Sequence, residues 1–379
     1  MNYLTYNFPT TIRFGWGVSG ELGAHLRENQ FSTPLIVTDR GIIELDFFHK
    51  IQEQLNGQKI NPVVFSDLHK NPVKSDVLKG AVIYREKSCD CIIGLGGGVA
   101  MDVARAIALK INHHKDLFEY DDLVGGDKYI TNPIPYFITI PTTSGTGSEV
   151  GRSAIIADDE TKQKKILFSP ALMAKIVFAD PELTENLPPF ITAATGMDAF
   201  THHLEAFLAK MYHPLCEGIA LEGIHMVYKN IESAVNNPGK ESRSAMMIAS
   251  LMGAVAFQKG LGVVHSLAHP LSALLDTHHG LANAVNLPYG MEFNLEGNEE
   301  KFKRIARAMD LKIETGNEVI RALFDLNKKL GLPVKLNEIG VKTEHIEKLS
   351  DLAFADFCHP NNPKPVSREN FKELYFKAL

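Results

Sequence analysis

Up to about residue 185, short apolar runs rich in β-branched residues alternate with stretches of helical periodicity. PLIVTD (34–39), NPVVFSD (61–67), CDCIIGLGGG (89–98), YFITIPTT (136–143), RSAIIAD (152–158) and AKIVFAD (174–180) predict strands. Several end in Asp, Gly or Thr, where a strand hands over to a loop. Residues 75–87 and 101–112 predict intervening helices. This alternation predicts a mostly parallel, doubly wound sheet, which binds ligands at the carboxyl ends of its strands. After DPELTENLPPF (180–190) the β signal nearly disappears, and 190–210, 214–235, 241–257, 298–311 and 315–330 predict helices. The expected organisation is an α/β domain over residues 1–185 and an all-helical domain over 186–379, with a ligand site in the cleft between them. CHPNNPKPVSREN (358–370) reads as a Pro/Asn-rich loop before a short final helix.

Composition narrows the function classes. At 45% hydrophobic and 22% charged, the 379 residues can bury sizeable cores. A net charge of −6 gives no global attraction to nucleic acid or to an anionic membrane. The apolar runs fall short of a bilayer span, and the N-terminus shows no basic head followed by an apolar block. Cys89 and Cys91 are separated by one residue, while Cys216 and Cys358 stand alone, which is neither a zinc knuckle nor a disulfide framework. The expectation is a cytoplasmic protein with reduced thiols.

Two loops carry candidate chemistry. In GLGGGVAMDVARAIAL (94–109), Gly96, Gly97 and Gly98 follow a buried strand and open a helix. Adjacent glycines let the backbone approach a phosphate, and the helix N-terminus behind them favours an anion. The spacing is neither GxGxxG nor a Walker loop, and a tight turn without a ligand is the alternative. IPTTSGTGSEV (140–150) offers hydroxyls at Thr142, Thr143, Ser144, Thr146 and Ser148, suited to a pyrophosphate, a ribose or a carboxamide. Asp39 closes the strand LIVTD, where an acidic residue can accept from a ribose or simply cap a helix. It precedes the glycine loop instead of following it.

The histidines pose a sharper question. GLGVVHSLAHPLSALLDTHHG (260–280) holds four of the chain's 15 histidines among apolar neighbours. A buried imidazole must be neutral and hydrogen-bonded, or must coordinate something. In ATGMDAFTHHLEAF (194–207), Asp198 and His202 are four residues apart and share one helix face, with His203 ~100° round. With His265, His269, His278 and His279 in the same domain, one carboxylate and three imidazoles would suit divalent iron, zinc, manganese or nickel. Spacing alone does not select which three.

These blocks resemble the iron-containing, or group III, alcohol dehydrogenase family, and the resemblance runs the length of the chain. It is carried by LIVTD, GLGGG…MD, IPTTSGTGSEV, ADPEL, TGMDAFTHHLEAF, GLGVVHSLAHPL…HHG and NPKPV. It implies a dehydroquinate synthase-like fold, an α/β NAD-binding domain followed by an all-α domain. It further implies Asp198, His202, His265 and His279 as metal ligands, Fe2+ as the metal with Zn2+ possible, and His269 beside the nicotinamide as a catalytic proton relay or a positioning group. Implied NAD contacts are Asp39, Asn71, Gly96, Gly97, Gly98, Asp102, Thr142, Thr143, Thr146 and Lys165. His203 and His278 are left to packing. Val99 and Arg105 stand where the family has Ser and Lys. If residues 151–153 are extended, Gly151 and Ser153 share a face and Arg152 points to the other.

The implied activity is hydride transfer between a small alcohol or aldehyde and NAD, by a homodimer or larger homo-oligomer without nucleic-acid or membrane partners. Three competitors share parts of this pattern. A dehydroquinate synthase-like lyase would need Lys and Arg around the metal, and the blocks near Asp198, His265 and His279 carry almost none. A zinc polyol dehydrogenase of the glycerol type would use fewer histidines. A non-catalytic nucleotide-binding protein would take up no metal.

Overall fold

The computed structural model describes residues 10–161 and 163–379. The first nine residues, where the reading of no signal peptide begins, lie outside the described residues.

One compact unit comprises residues 10–143 together with Ser148–Thr184. Its elements are β1 (Thr11–Phe14), α1 (Leu22–Glu28), β2 (Pro34–Val37), α2 (Asp46–Gly57), β3 (Val63–Phe65), α3 (Lys74–Glu86), β4 (Cys91–Gly96), α4 (Gly98–Asn112), β5 (Phe137–Pro141), β6 (Ser153–Ala157), β7 (Lys164–Phe168) and β8 (Ile176–Ala179). Six strands form a sheet in the order β1-β8-β5-β4-β2-β3, and every neighbouring pair is parallel. Both faces are covered, so central strands read as continuous apolar runs. Leu35, Val37 and Ile92 pack with Val77, Val103 and Ile107 of α3 and α4. Ile36, Ile93 and Leu95 point the other way, onto Leu22, Leu26, Phe48 and Ile51 of α1 and α2. The period-2 alternation of strand side chains thus divides the core in two.

Three strands depart from the sequence reading. RSAIIAD does contain a strand, but β6 lies outside the parallel sheet and pairs antiparallel with β7 in a hairpin. It begins at Ser153, so Gly151 is not on it; the Gly151 N–H closes a turn onto the Ser148 carbonyl at 2.9 Å. β7 opens on two lysines and has no apolar alternation, while the edge strand β1, TIRF, alternates over only four residues that are mostly exposed, too short a signal to announce it.

The second unit comprises Ser144–Gly147 and Glu185–Leu379. From residue 185 on it is helical: α5 (Pro189–Leu208), α6 (Pro214–Asn236), α7 (Lys240–Ala256), α8 (Val263–Leu275), α9 (His279–Leu295), α10 (Glu299–Ala308), α11 (Gly316–Lys329), α12 (Ile346–Phe354) and α13 (Arg368–Ala378). A parallel α/β sheet unit and an all-helical region are the fold class expected. α5 opens on Pro189, whose missing N–H costs nothing in a first turn. Every α5 residue from Thr192 to Leu208 is buried, and α6, α7 and α9 pack around it. A helix buried on all sides must be apolar all round, so the polar exceptions Asp198, His202 and Glu205 are conspicuous.

The histidine-dense stretch forms two helices. Asp276, left-handed at φ +53°, ends α8 and turns the chain into α9. All four cysteines are buried, and none forms a disulfide. Among the described residues no single helix is long and apolar enough to cross a membrane.

Candidate metal centre

Three helices of the second unit converge on one polar cluster. α5 supplies Asp198 and His202 one turn apart, α8 supplies His265 as its third residue, and α9 supplies His279 as its first. Each offers one ligand atom, and the four atoms lie within 4.8 Å of one another. Asp198 Oδ1 is 3.4 Å from His279 Nε2, 3.8 Å from His202 Nε2 and 4.0 Å from His265 Nε2. The close approach of α9 to α5 depends on Gly280, where a Cβ would lie 2.3 Å from the Ala194 carbonyl oxygen.

Burial sets the protonation states. It pushes His202 down to about 4 and His265 down to about 3, against the pull of Asp198 on each. Both imidazoles are therefore neutral near pH 7, as metal ligation requires. The donor that meets this cluster is Asn283 Nδ2, 2.7 Å from Asp198 Oδ1, 3.2 Å from His279 Nε2 and 3.3 Å from His265 Nε2. A carboxylate and three imidazoles, two of them held neutral by burial, form an electron-rich pocket that a divalent cation of the zinc or iron class fits.

The remaining histidines separate cleanly. His203 Nε2 lies 2.8 Å from the Ala249 carbonyl, away from the cluster, and burial lowers it to about 4. His278 precedes α9 and is lowered by burial. His269, one turn after His265, stacks on His279 at 5.4 Å and 19°. Its Nδ1 is 2.7 Å from Asp356 Oδ2, while Asp356 Oδ1 accepts from the Ser266 hydroxyl at 2.6 Å and the Cys358 N–H at 2.9 Å. Although burial opposes it, His269 holds the Asp356 carboxyl well below the usual range.

The candidate cofactor residues fall into two groups. At the carboxyl edge of the sheet, Gly96 ends β4 at φ +151°, and a Cβ there would meet Ala100 at 2.8 Å. Gly97 caps α4 and Gly98 opens it, so the glycines do sit at a helix N-terminus. The Thr142 N–H bonds the Gly96 carbonyl at 3.0 Å, which sets the hydroxyl loop beside the glycine loop, with Thr143 following. Asp39 ends this edge at β2, its Oδ1 accepting from the N–H groups of Gly41 and Ile42. Asn71 is half-buried in the loop after β3.

The others are engaged elsewhere. Lys165 Nζ on β7 sits 3.3 Å from Asp121 Oδ2. Thr146 lies in the short Ser144–Gly147 segment that groups with the helices. Asp102 accepts from Ser148 Oγ at 2.7 Å, the Ile155 N–H at 3.0 Å and Arg105 Nη1 at 3.1 Å. Arg105, fully buried, also bonds the carbonyls of Leu172, Ser148 and Ser153. The Arg at the family's Lys position therefore closes an internal network.

Three residues around the cluster were not legible as functional: Glu205, Asn283 and Asp356. Glu205 had a signal, since it follows Asp198 by seven and His202 by three on the same helix. Asn283 follows His279 by four. Asp356 had none, because its partner His269 is 87 residues away. The buried cations Arg243 and Lys259 of this unit are committed too, to Thr192 and backbone carbonyls and to Glu217 and the Phe207 carbonyl. A site for a phosphorylated lyase substrate would want such groups free.

Residues 9–181 match the family described as iron-containing alcohol dehydrogenase, and residues 192–379 match the C-terminal part of the Fe-containing alcohol dehydrogenase family. The chain is 38% identical over 382 residues to a 4-hydroxybutyrate dehydrogenase of Cupriavidus necator, covering 98% of this chain and 99% of that one. A crystal structure of 1,3-propanediol oxidoreductase superposes with a TM-score of 0.94 at 30% identity, covering all of both chains. A sulfoacetaldehyde reductase from Bifidobacterium kashiwanohense, solved in complex with NAD+, superposes with a TM-score of 0.88 at 26% identity, covering 100% of this chain and 99% of that one. The chain belongs to the iron-containing alcohol dehydrogenase family and is an NAD(H)-linked alcohol dehydrogenase and aldehyde reductase.

Proposed function

We propose that Asp198, His202, His265 and His279 hold one divalent cation, ferrous iron in the native enzyme, and that the substrate is a short alcohol or its aldehyde. The observation that carries this reading is the convergence of four ligand atoms from three helices within 4.8 Å. When bound, the cation supplies Lewis acidity toward the substrate oxygen, and the nicotinamide supplies hydride transfer.

The chain's own groups prepare that chemistry. His202 and His265 stay neutral, so their Nε2 lone pairs are available. Asn283 orients the Asp198 carboxylate. His269 donates from Nδ1 to Asp356 and leaves Nε2 to hold or release a proton. Gly96, Gly97 and Gly98 at the start of α4 receive a pyrophosphate, and Thr142 and Thr143 supply hydroxyls beside it. Asp39 at the end of β2 accepts from the adenosine ribose and disfavours a 2′-phosphate, so NAD(H) is preferred over the phosphorylated form. Asn71, Asp102, Thr146 and Lys165 complete the proposed set, with Asp102 acting from inside the Arg105 network. The 38% identical relative puts 4-hydroxybutyrate first among substrates to try.

The test is His265→Ala, assayed for metal content and for NADH formation from a panel of short alcohols and ω-hydroxy acids, with iron and with zinc. The expected variant is folded, metal-free and inactive. Full metal occupancy in that variant would overturn the ligand set, and higher turnover with zinc than with iron would overturn the choice of metal.

A further inference from the structure

Glu205 is the most deeply invested carboxylate of the helical unit, with its side chain only 1% exposed. It lies on α5, one turn beyond His202, and reaches the first turn of α8. Oε1 accepts the Val264 N–H at 2.7 Å; Oε2 lies 2.6 Å from His265 Nδ1 and 3.3 Å from the His265 N–H. The approach is tight, because a Cβ on Gly262 would come within 3.0 Å of Oε1. The carboxylate thus satisfies two orphan donors at a helix N-terminus, where a negative charge is favoured.

We propose that Glu205 is a positioning residue for the metal centre: by accepting from His265 Nδ1, it fixes the ring in the tautomer whose Nε2 is a bare lone pair aimed at Asp198 Oδ1. This rests on the ligand set proposed above. Burial pushes the Glu205 carboxyl up to about 7 against the pull of backbone N–H groups, and with Oε1 and Oε2 both engaged as acceptors of those groups it is the facing Nδ1, 2.6 Å from Oε2, that carries the proton. His265 Nε2, facing Asp198 Oδ1 at 4.0 Å and Asn283 Nδ2 at 3.3 Å, is then deprotonated before any cation arrives. Carboxylate partners on the far nitrogen of a ligating histidine orient the ring and raise its basicity, and losing them costs 10–100-fold in metal affinity.

Glu205→Gln isolates the role at nearly constant shape. The Val264 N–H pins the amide, because a side-chain NH2 turned toward it would set donor against donor across 2.7 Å. The amide NH2 is therefore left facing His265 Nδ1, which must become the acceptor and move its proton to Nε2.

The experiment titrates metal-free wild type, Glu205→Gln and His265→Ala with zinc against a competing chelator. It also reads histidine tautomers in the metal-free proteins by long-range 1H–15N NMR. The expected result is His265 protonated at Nδ1 in wild type and at Nε2 in Glu205→Gln, with zinc affinity about 10–100-fold weaker in the variant. A folded Glu205→Gln that binds zinc as tightly as wild type overturns the proposal. Should that variant fail to fold, the wild-type spectrum still decides, since His265 protonated at Nε2 there overturns it as well. His265→Ala separates the two levels: zinc retained in that variant refutes the ligand set itself, whereas zinc lost there but kept in Glu205→Gln refutes only Glu205.

Discussion

Asn283 Nδ2 donates to Asp198 Oδ1 across 2.7 Å, so the fifth residue of α9 holds the carboxylate of α5 in the orientation that faces three imidazoles. Removing the amide leaves the carboxylate free to rotate and adds a small void. Asn283→Ala is expected to retain its helical circular dichroism and bind zinc about tenfold more weakly than wild type. Equal affinity by competition titration would show that the amide only fills space.

Gly280 is the point where α9 touches α5. A Cβ there would lie 2.3 Å from the Ala194 carbonyl oxygen, which cannot yield as a side chain could. Gly280→Ala is expected to cost about 1–3 kcal/mol in denaturant unfolding and to weaken metal binding by displacing His279. Gly218 on α6, where nothing lies within 4 Å, is the control: alanine there should stabilise by about 0.5–1 kcal/mol. Matching effects at the two sites would refute the close-approach argument.

Glu149 predicts a pH signature in the sheet unit. Burial pushes its carboxyl up to about 7, with the attraction of Arg105 too small to reverse it. The unfolded chain titrates this group near ~4.3, so the folded state binds the proton more tightly. Its contribution is fully present below the unfolded value and is lost as pH rises through about 7. Glu149→Gln should therefore gain stability relative to wild type between pH 5 and 8, by an amount on the order of 3 kcal/mol at most. Parallel pH profiles of unfolding would contradict this.

Arg105, itself fully buried, neutralises the partly buried Asp102 in a network that also ties down the Ser148 hydroxyl. Arg105→Leu strands a largely buried carboxylate and is expected to cost about 2–4 kcal/mol, below the full penalty for a completely buried unpaired charge. Arg105→Lys keeps the charge but loses the fork, so it should fall between Leu and wild type. A Leu variant as stable as wild type would show that Asp102 is held by Ser148 and Ile155 alone.

Much of this centre could be read before any coordinates. Asp198 and His202 announce themselves by a four-residue spacing in an apolar helix, and the density of imidazoles in 260–280 demands a ligand or a hydrogen bond for each. What sequence could not settle was which imidazoles converge. His202 and His203 are adjacent, yet one faces Asp198 and the other the Ala249 carbonyl, a choice made by the rotation of α5 against α7. Asp356 carried no signal of its own, because its meaning comes from His269 and Ser266, both far away along the chain. In the sheet unit, strands that form buried apolar runs were visible, whereas the short exposed β1 and the lysine-led β7 were not. Pairing partners were not legible either, which is why β6 was expected among the parallel strands.

The interior placement of every cysteine has a practical consequence. Burial pushes Cys89 up to about 11 and raises Cys358 well above its ordinary value, so neither presents a thiolate at neutral pH. Alkylating reagents should leave the native enzyme untouched and react with all four sulfurs only after denaturation. Inactivation by an oxidant would then point to the imidazole-lined pocket instead of to sulfur.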